Sequence, residues 1–168
     1  ESPAAGRDLY NLSDRGHNTW NGAIVTDGAG SDATSFHIYL PLYPKGMLYH
    51  PTTLLYGTAP NMYGPWEFQS LDSGDLPGVV GINPGALVFN DSTTGKTVYS
   101  LWISGAIYVA DAPAGPFRLV PGSNSTLGDH VVGCSINASP VYREGNFYCL
   151  GGKGGGVITS KSLSGPWT

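Results

Sequence analysis

The chain has 168 residues, 25 of them Gly and 13 Pro, and only 12% are charged. That density of helix breakers excludes helical bundles and coiled coils, whereas 40% hydrophobic and 11% aromatic residues are ample for a core and exclude a disordered chain. Eight basic against 12 acidic residues, a net charge of −4 and no basic run exclude nucleic acid and anionic membrane surfaces as partners, and no apolar run approaches the roughly 18 residues of a membrane-spanning helix.

In chain order, the first strand-like runs are Gly22–Asp27, the aromatic Ser35–Leu40 and Leu54–Ala59, followed by Gly64-Pro65-Trp66. Next come Gly85–Asn90, Thr97–Trp102 and Ala106–Asp111, followed by Gly115-Pro116-Phe117. Last are Ser139–Glu144, Asn146–Leu150 and Gly156–Lys161, followed by Gly165-Pro166-Trp167. Asp27-Gly28, Thr94-Gly95-Lys96 and Glu144-Gly145-Asn146 supply hairpin turns between the first two runs of each set.

The Gly-Pro-aromatic tag recurs at intervals of 51 and 50 residues. Short antiparallel strands repeating at that period are the signature of propeller blades. In the tag, Gly permits a sharp bend, Pro fixes the turn into the outermost strand, and the ring is expected to pack between neighbouring sheets. A β-sandwich is the competing architecture, but it does not call for an ordered threefold repeat. The expectation is an all-β chain, a partial β-propeller over residues 1–168 with about three four-stranded antiparallel blades at 17–70, 82–121 and 131–168. Three blades do not close a ring of four to eight. The chain therefore reads as a segment of a five- to seven-bladed ring, whose remaining blades lie on another chain or on the rest of the same precursor.

In a propeller, the starts of the innermost strands face the central funnel. Here those places carry His17, Asn18, Trp20 and Asn21 in the first blade, Asn83 in the second and Asn137-Ala138 in the third. His17 sits in a loop of Gly, Asn and Trp and is the leading candidate for chemistry. His37 and Tyr39 share one face of an aromatic strand by alternation, where a histidine is also at home as a hydrogen-bonded core residue. His50 is a further candidate for the substrate site, and Trp20 suits either a sugar face or the inter-blade core. Gly151–Gly156 lacks the GxxxxGK[ST] pattern and a following helix, so it is a strand link rather than a phosphate loop. Calcium-loop spacing, zinc-ligand spacing and a serine elbow are absent, so no metal and no cofactor are expected.

Asn11, Asn90, Asn124 and Asn137 each open an N-x-[ST] sequon. With two cysteines and few lysines, they point to a secreted, extracellular glycoprotein in which Cys134 and Cys149 form a disulfide. Asn137 cannot be both glycosylated and inside a closed funnel, so one of those two readings has to give way.

The runs Ile107–Phe117 and Val157–Trp167, each ending in the tag, resemble the blade tags of carbohydrate-active propellers such as glycoside hydrolase family 43, and Ile82-Asn83-Pro84 resembles the opening of their inner strands. The resemblance implies a polysaccharide or oligosaccharide substrate and three funnel carboxylates. The matching positions here are Asn21, Asn83 and Ala138, and amides cannot exchange protons as the two-carboxylate mechanism requires. His17-Asn18 resembles instead the loops of propeller polysaccharide lyases and of rhamnosidases acting beside glucuronic acid. That likeness implies His17 as base or acid with His37 or Tyr39 as its partner, and Asn18 and Asn83 binding a uronate carboxylate. The reading is thus a secreted enzyme that cleaves glycosidic bonds by hydrolysis or by histidine-assisted β-elimination. Its alternative is a non-catalytic sugar-binding propeller.

Overall fold

The computed structural model describes residues 18–19, 22–27, 34–43, 53–71, 76, 84–103, 105–123, 138–150 and 156–168. Within them lie twelve strands: β1 Asn18–Thr19, β2 Ala23–Thr26, β3 Phe36–Tyr43, β4 Thr53–Ala59, β5 Glu67–Ser70, β6 Gly85–Asn90, β7 Thr97–Ile103, β8 Ala106–Ala110, β9 Arg118–Leu119, β10 Ser139–Arg143, β11 Asn146–Leu150 and β12 Val157–Ser160. All pairings are antiparallel and fall into three separate sheets. No helix among the described residues is long and apolar enough to cross a membrane.

The sheets are consecutive blades, and only the middle one has the expected four strands, β6-β7-β8-β9. The first has five, because β1 and β2 share one edge of β3: β2 pairs with Phe36–Tyr39, and β1 pairs with Leu42 and Tyr43. The third has three, β10-β11-β12, with Thr168 beginning a fourth position through reciprocal backbone bonds to Thr159 at 2.8 and 3.0 Å. The innermost strands β2, β6 and β10 touch in sequence, β2 on β6 and β6 on β10. Near their starts the approach is close: a Cβ added to Gly85 would lie 2.4 Å from the Ala138 carbonyl oxygen, so any side chain there would push β6 and β10 apart.

Two of the expected turns form as read. Glu144 and Gly145, both at positive φ, close a two-residue hairpin between Arg143 and Asn146. In the 91–96 loop Gly95 takes φ 68°, and the Asp91 carboxylate accepts bonds from Thr93 N and Thr94 Oγ1 that hold its pKa below the ordinary carboxylate value. Asp27-Gly28 departs from expectation. Thr26 pairs with Phe36 and the Asp27 amide bonds the Ser35 carbonyl, so the connection is a longer loop and Asp27 extends the strand edge.

The three tags adopt one geometry. Each Gly-Pro bond is cis, each glycine sits at φ between 86° and 94°, and each glycine amide bonds the carbonyl three residues back. That φ lies in the left-handed region, where a Cβ is strongly disfavoured, which is why the position is Gly in all three repeats. The turn delivers its ring onto the second strand of the preceding sheet. Phe117 stands edge-on to Tyr39 at 6.1 Å and 85°, and Trp167 edge-on to Trp102 at 5.3 Å and 80°. Tyr39 and Trp102 occupy equivalent sites: they pair with Tyr56 and Ile107, each eight residues before the glycine of its own tag.

Two inter-blade cores follow. One joins Tyr39, Leu54 and Tyr56 of the first blade to Tyr99, Leu101, Ile103 and Phe117 of the second. The other joins Trp102 and Ile107 to Ala138, Cys149, Ile158, Leu163 and Trp167 of the third. β7 lies between them and is buried on both faces, Tyr99, Leu101 and Ile103 toward one neighbour and Ser100 and Trp102 toward the other. The buried Ser100 hydroxyl is satisfied: its Oγ accepts from Trp102 Nε1 and donates to the Leu87 carbonyl. Phe117 is fully buried between two sheets. Replacing it with Ala is expected to lower unfolding free energy by about 3–5 kcal/mol, read by chemical denaturation, because the cavity lies between two blades.

Candidate functional site

The described residues bring together one polar cluster. It lies between the first two blades, at the end of the inner strands opposite their starts. β3 begins beside the end of β2, with Val25 paired to His37, so Asp27 and His37 meet across the strand pair. His37 is 3% exposed and both its ring nitrogens are engaged, Nδ1 with Tyr56 Oη at 2.6 Å and Nε2 with Asp27 Oδ1 at 2.8 Å. Tyr99, from the second blade, donates its hydroxyl to the same carboxylate oxygen at 2.6 Å. The Asp27 carboxylate thus accepts from Tyr99 O–H and pairs with His37 Nε2, and Tyr56 Oη closes the chain at Nδ1.

The tyrosines are tuned by this setting. Burial raises the Tyr99 phenol well above its ordinary range, with further increments from its bond to Asp27 and from the carboxylate charge. Burial likewise raises Tyr56. Tyr39, buried beside Tyr56, donates to the Pro113 carbonyl of the second blade at 2.7 Å, and burial together with the neighbouring Tyr56 and Tyr99 raises it further still. Asp27 keeps partial contact with solvent, its side chain 29% exposed. It borders a cleft of about 480 Å³ between β2 and β6, whose other polar lining is Thr26, Asn90 and Thr97.

The expected site is only partly covered by the described residues. His17, Trp20, Asn21, His50 and Asn83 lie outside them, as do Asn11, Asn124, Asn137 and Cys134. Asn18 lies in β1, paired with Tyr43 at the far end of β3, which is the end where β2 begins. His37 and Tyr39 do share a face, as alternation implies, but that face is the inter-blade core. Both ring nitrogens of His37 are bonded within the protein, and the Tyr39 hydroxyl is held by the Pro113 backbone carbonyl. Asn90 is exposed at the end of β6, its Oδ1 accepting from Thr97. Cys149 is fully buried and is not a free thiol. Among the described residues no group of three or more His, Cys, Asp or Glu side chains could hold a metal ion.

Asp27, Tyr56 and Tyr99 were not among the sequence candidates. Asp27 was legible in principle: it precedes His37 by ten residues across a hairpin, and pairing of the two strands brings them together. Tyr99 was not, because it lies 72 residues from Asp27 and joins it only once two blades stack.

No family model and no curated protein matches the sequence. Solved structures share the fold, and two of them are glycoside hydrolases. One is a family 43 β-1,3-galactosidase in complex with galactodeoxynojirimycin, matched with a TM-score of 0.54 at 14% identity over 91% of this chain and 57% of that one. The other is a family 117 glycoside hydrolase of the marine bacterium Zobellia galactanivorans, with a TM-score of 0.63 at 13% identity over 94% of this chain and 56% of that one. The chain thus spans little more than half the length of either, and its fold is the β-propeller that these glycoside hydrolases also use.

The cluster makes two predictions. Replacing Asp27 with Ala strips the partner from a buried imidazole and a buried phenol at once, and is expected to cost about 2–3 kcal/mol in chemical denaturation. The raised phenols set an alkaline limit. Folding disfavours their ionisation, so stability is level below the unfolded-state value near pH 10 and falls above it, as the unfolded chain loses those protons first. Absorbance titration of folded and urea-unfolded protein checks this, with a late-ionising group of tyrosines only in the folded sample.

Proposed function

We propose that this chain forms part of a secreted carbohydrate-active propeller that cleaves glycosidic bonds of an extracellular polysaccharide, with its substrate in the funnel at the starts of β2, β6 and β10. The observation that carries the reading is the side-by-side convergence of these three inner strands, in a fold shared with two glycoside hydrolases. The remaining blades, on another chain or on the rest of the same precursor, complete the funnel wall.

In this reading His17 is the proton-transfer group. In the β-elimination branch, its neutral imidazole removes the proton α to a uronate carboxylate. The resulting electron pair forms a carbon–carbon double bond as the glycosidic C–O bond breaks, and the leaving oxygen takes a proton. Asn18 and Asn83 hold the carboxylate and lower the cost of its developing charge. Trp20, Asn21 and His50 contact the sugar. In the hydrolytic branch water supplies the cleaving oxygen, and the same histidine serves as acid or base. His37 and Tyr39 support the first blade beneath the funnel and stay outside proton transfer. Secretion, glycosylation at the sequons and a Cys134–Cys149 disulfide belong to the same proposal. The buried, non-free state of Cys149 supports the disulfide.

A second reading, a sugar-binding propeller without turnover, is favoured by one observation. Ala138, with no ionisable group, stands at the start of the third inner strand where the family 43 resemblance calls for a carboxylic acid. A polysaccharide panel separates the readings. Cleavage with new ultraviolet absorbance from an unsaturated uronate marks elimination, reducing ends without that absorbance mark hydrolysis, and binding alone marks the second reading. Against a cleaved substrate, His17→Ala is expected to lower kcat by about 100-fold or more with unchanged melting temperature. Full turnover by that variant removes His17 from the mechanism.

A further inference from the structure

The far ends of the first two inner strands stand apart. Between β2 and β6 lies the cleft of about 480 Å³ that Asp27 borders. It lies between two blades of this chain rather than on an outer sheet face, at the end away from the funnel. Its volume falls within the range of small-molecule sites, about 300–1,000 Å³. The floor is aliphatic: Val25 from β2 and Ala86 and Val88 from β6 line it and continue into the inter-blade core.

Each wall carries a polar group. Asp27 Oδ1 takes both interior contacts, Tyr99 Oη at 2.6 Å and His37 Nε2 at 2.8 Å. Its Oδ2 makes no bond to a described residue, and the side chain is 29% exposed. The buried network thus orients the carboxylate and leaves one oxygen for an outside donor, in a charge-assisted bond about twice as strong as a neutral one. On the other wall, Asn90 Oδ1 accepts from Thr97 Oγ1 at 3.1 Å, and its Nδ2 donor makes no bond to a described residue. No Lys or Arg is among the described residues that line the cleft. An anionic ligand is therefore repelled by Asp27 with no cation to offset it. An ammonium suits the carboxylate but offers no lone pair to the Asn90 amide. Hydroxyls serve both groups, and a sugar ring adds a face of C–H groups for the aliphatic floor.

We propose that this cleft binds one neutral sugar ring, its hydroxyls donating to Asp27 Oδ2 and accepting from Asn90 Nδ2 and its C–H face lying on Val25, Ala86 and Val88. The site is separate from the funnel and stands whether or not His17 is catalytic. Asn90 also opens a sequon, so one ligand chemistry has two sources. One is a free or polymer-borne neutral sugar. The other is the first N-acetylglucosamine attached at Asn90 itself, a source that rests on the secretion proposed above.

Chemical-shift mapping by NMR on the isotope-labelled full chain tests this, with unglycosylated protein from a bacterial host. The probes are glucose, galactose, N-acetylglucosamine, glucuronate and methylammonium, each added separately. The expected result is saturable shifts at Asp27, Asn90 and Thr97 with at least one neutral sugar, and none with glucuronate or methylammonium. Asp27→Asn and Asn90→Ala are each expected to weaken that binding by about 10-fold or more, whereas His17→Ala leaves it unchanged. The first variant keeps an acceptor for Tyr99 and the second changes an exposed side chain, so both are expected to keep their β circular dichroism. In protein from a secretory host, contacts between an Asn90 glycan and Asp27 identify the attached sugar as the occupant, and continued binding of the free sugar identifies the free one. No shift at these residues with any neutral sugar, shifts that survive both cleft substitutions, shifts abolished by His17→Ala, or tighter binding of glucuronate or methylammonium would each overturn the proposal.

Discussion

The structure depends on one repeated contact, an aromatic ring delivered by a Gly-Pro turn onto the second strand of the preceding sheet. A lone four-stranded sheet of short strands has two faces and too little apolar area to fold independently. Phe117 on Tyr39 and Trp167 on Trp102 turn those faces into shared cores. The glycine at positive φ is what aims the ring, and so a backbone constraint at a single residue sets the stacking of whole blades. Ring-on-ring contacts add about 0.5–1.5 kcal/mol beyond the area they bury, and their edge-on geometry also fixes the angle between sheets.

The polar cluster at the first boundary complements that packing. A purely apolar interface between the first two blades would tolerate sliding. Asp27, His37, Tyr56 and Tyr99 require one register, because an imidazole buried to 3% exposure leaves its ring nitrogens no water to fall back on. The second boundary shows no such network among its described residues; it is built from the Trp102–Trp167 pair and its apolar neighbours, and from Phe89 packed on Tyr142 and Phe147. The same stacking that joins blades also sets β2, β6 and β10 side by side, and through them the mouth of any funnel. Function in this account is a consequence of blade registry rather than of any one strand.

The period of about 50 residues carried most of the fold in plain view, since Gly64, Gly115 and Gly165 mark a conformation that other residues rarely adopt. Strand pairing within blades was equally legible from the hairpin turns between successive runs, such as Glu144-Gly145 between β10 and β11. What the sequence could not disclose was the environment of His37. Alternation placed it with Tyr39 on one face, but whether that face meets a substrate or another blade depends on Tyr99 and Pro113, far away in the chain. The loop after Asp27 was misjudged for a related reason: Asp-Gly suits a tight turn, yet the carboxylate is held instead by the imidazole and a phenol. The funnel candidates His17, Trp20, Asn21, His50 and Asn83 rest on sequence and resemblance.

The central claim is that the tag ring of one blade is coupled energetically to the second strand of the blade before it. A double-mutant cycle on Tyr39 and Phe117, read by urea denaturation, measures this directly. Tyr39→Leu, Phe117→Leu and the double variant are expected to show a coupling energy of about 1 kcal/mol. Strict additivity of the two substitutions, with each single variant substantially destabilised, would contradict the account.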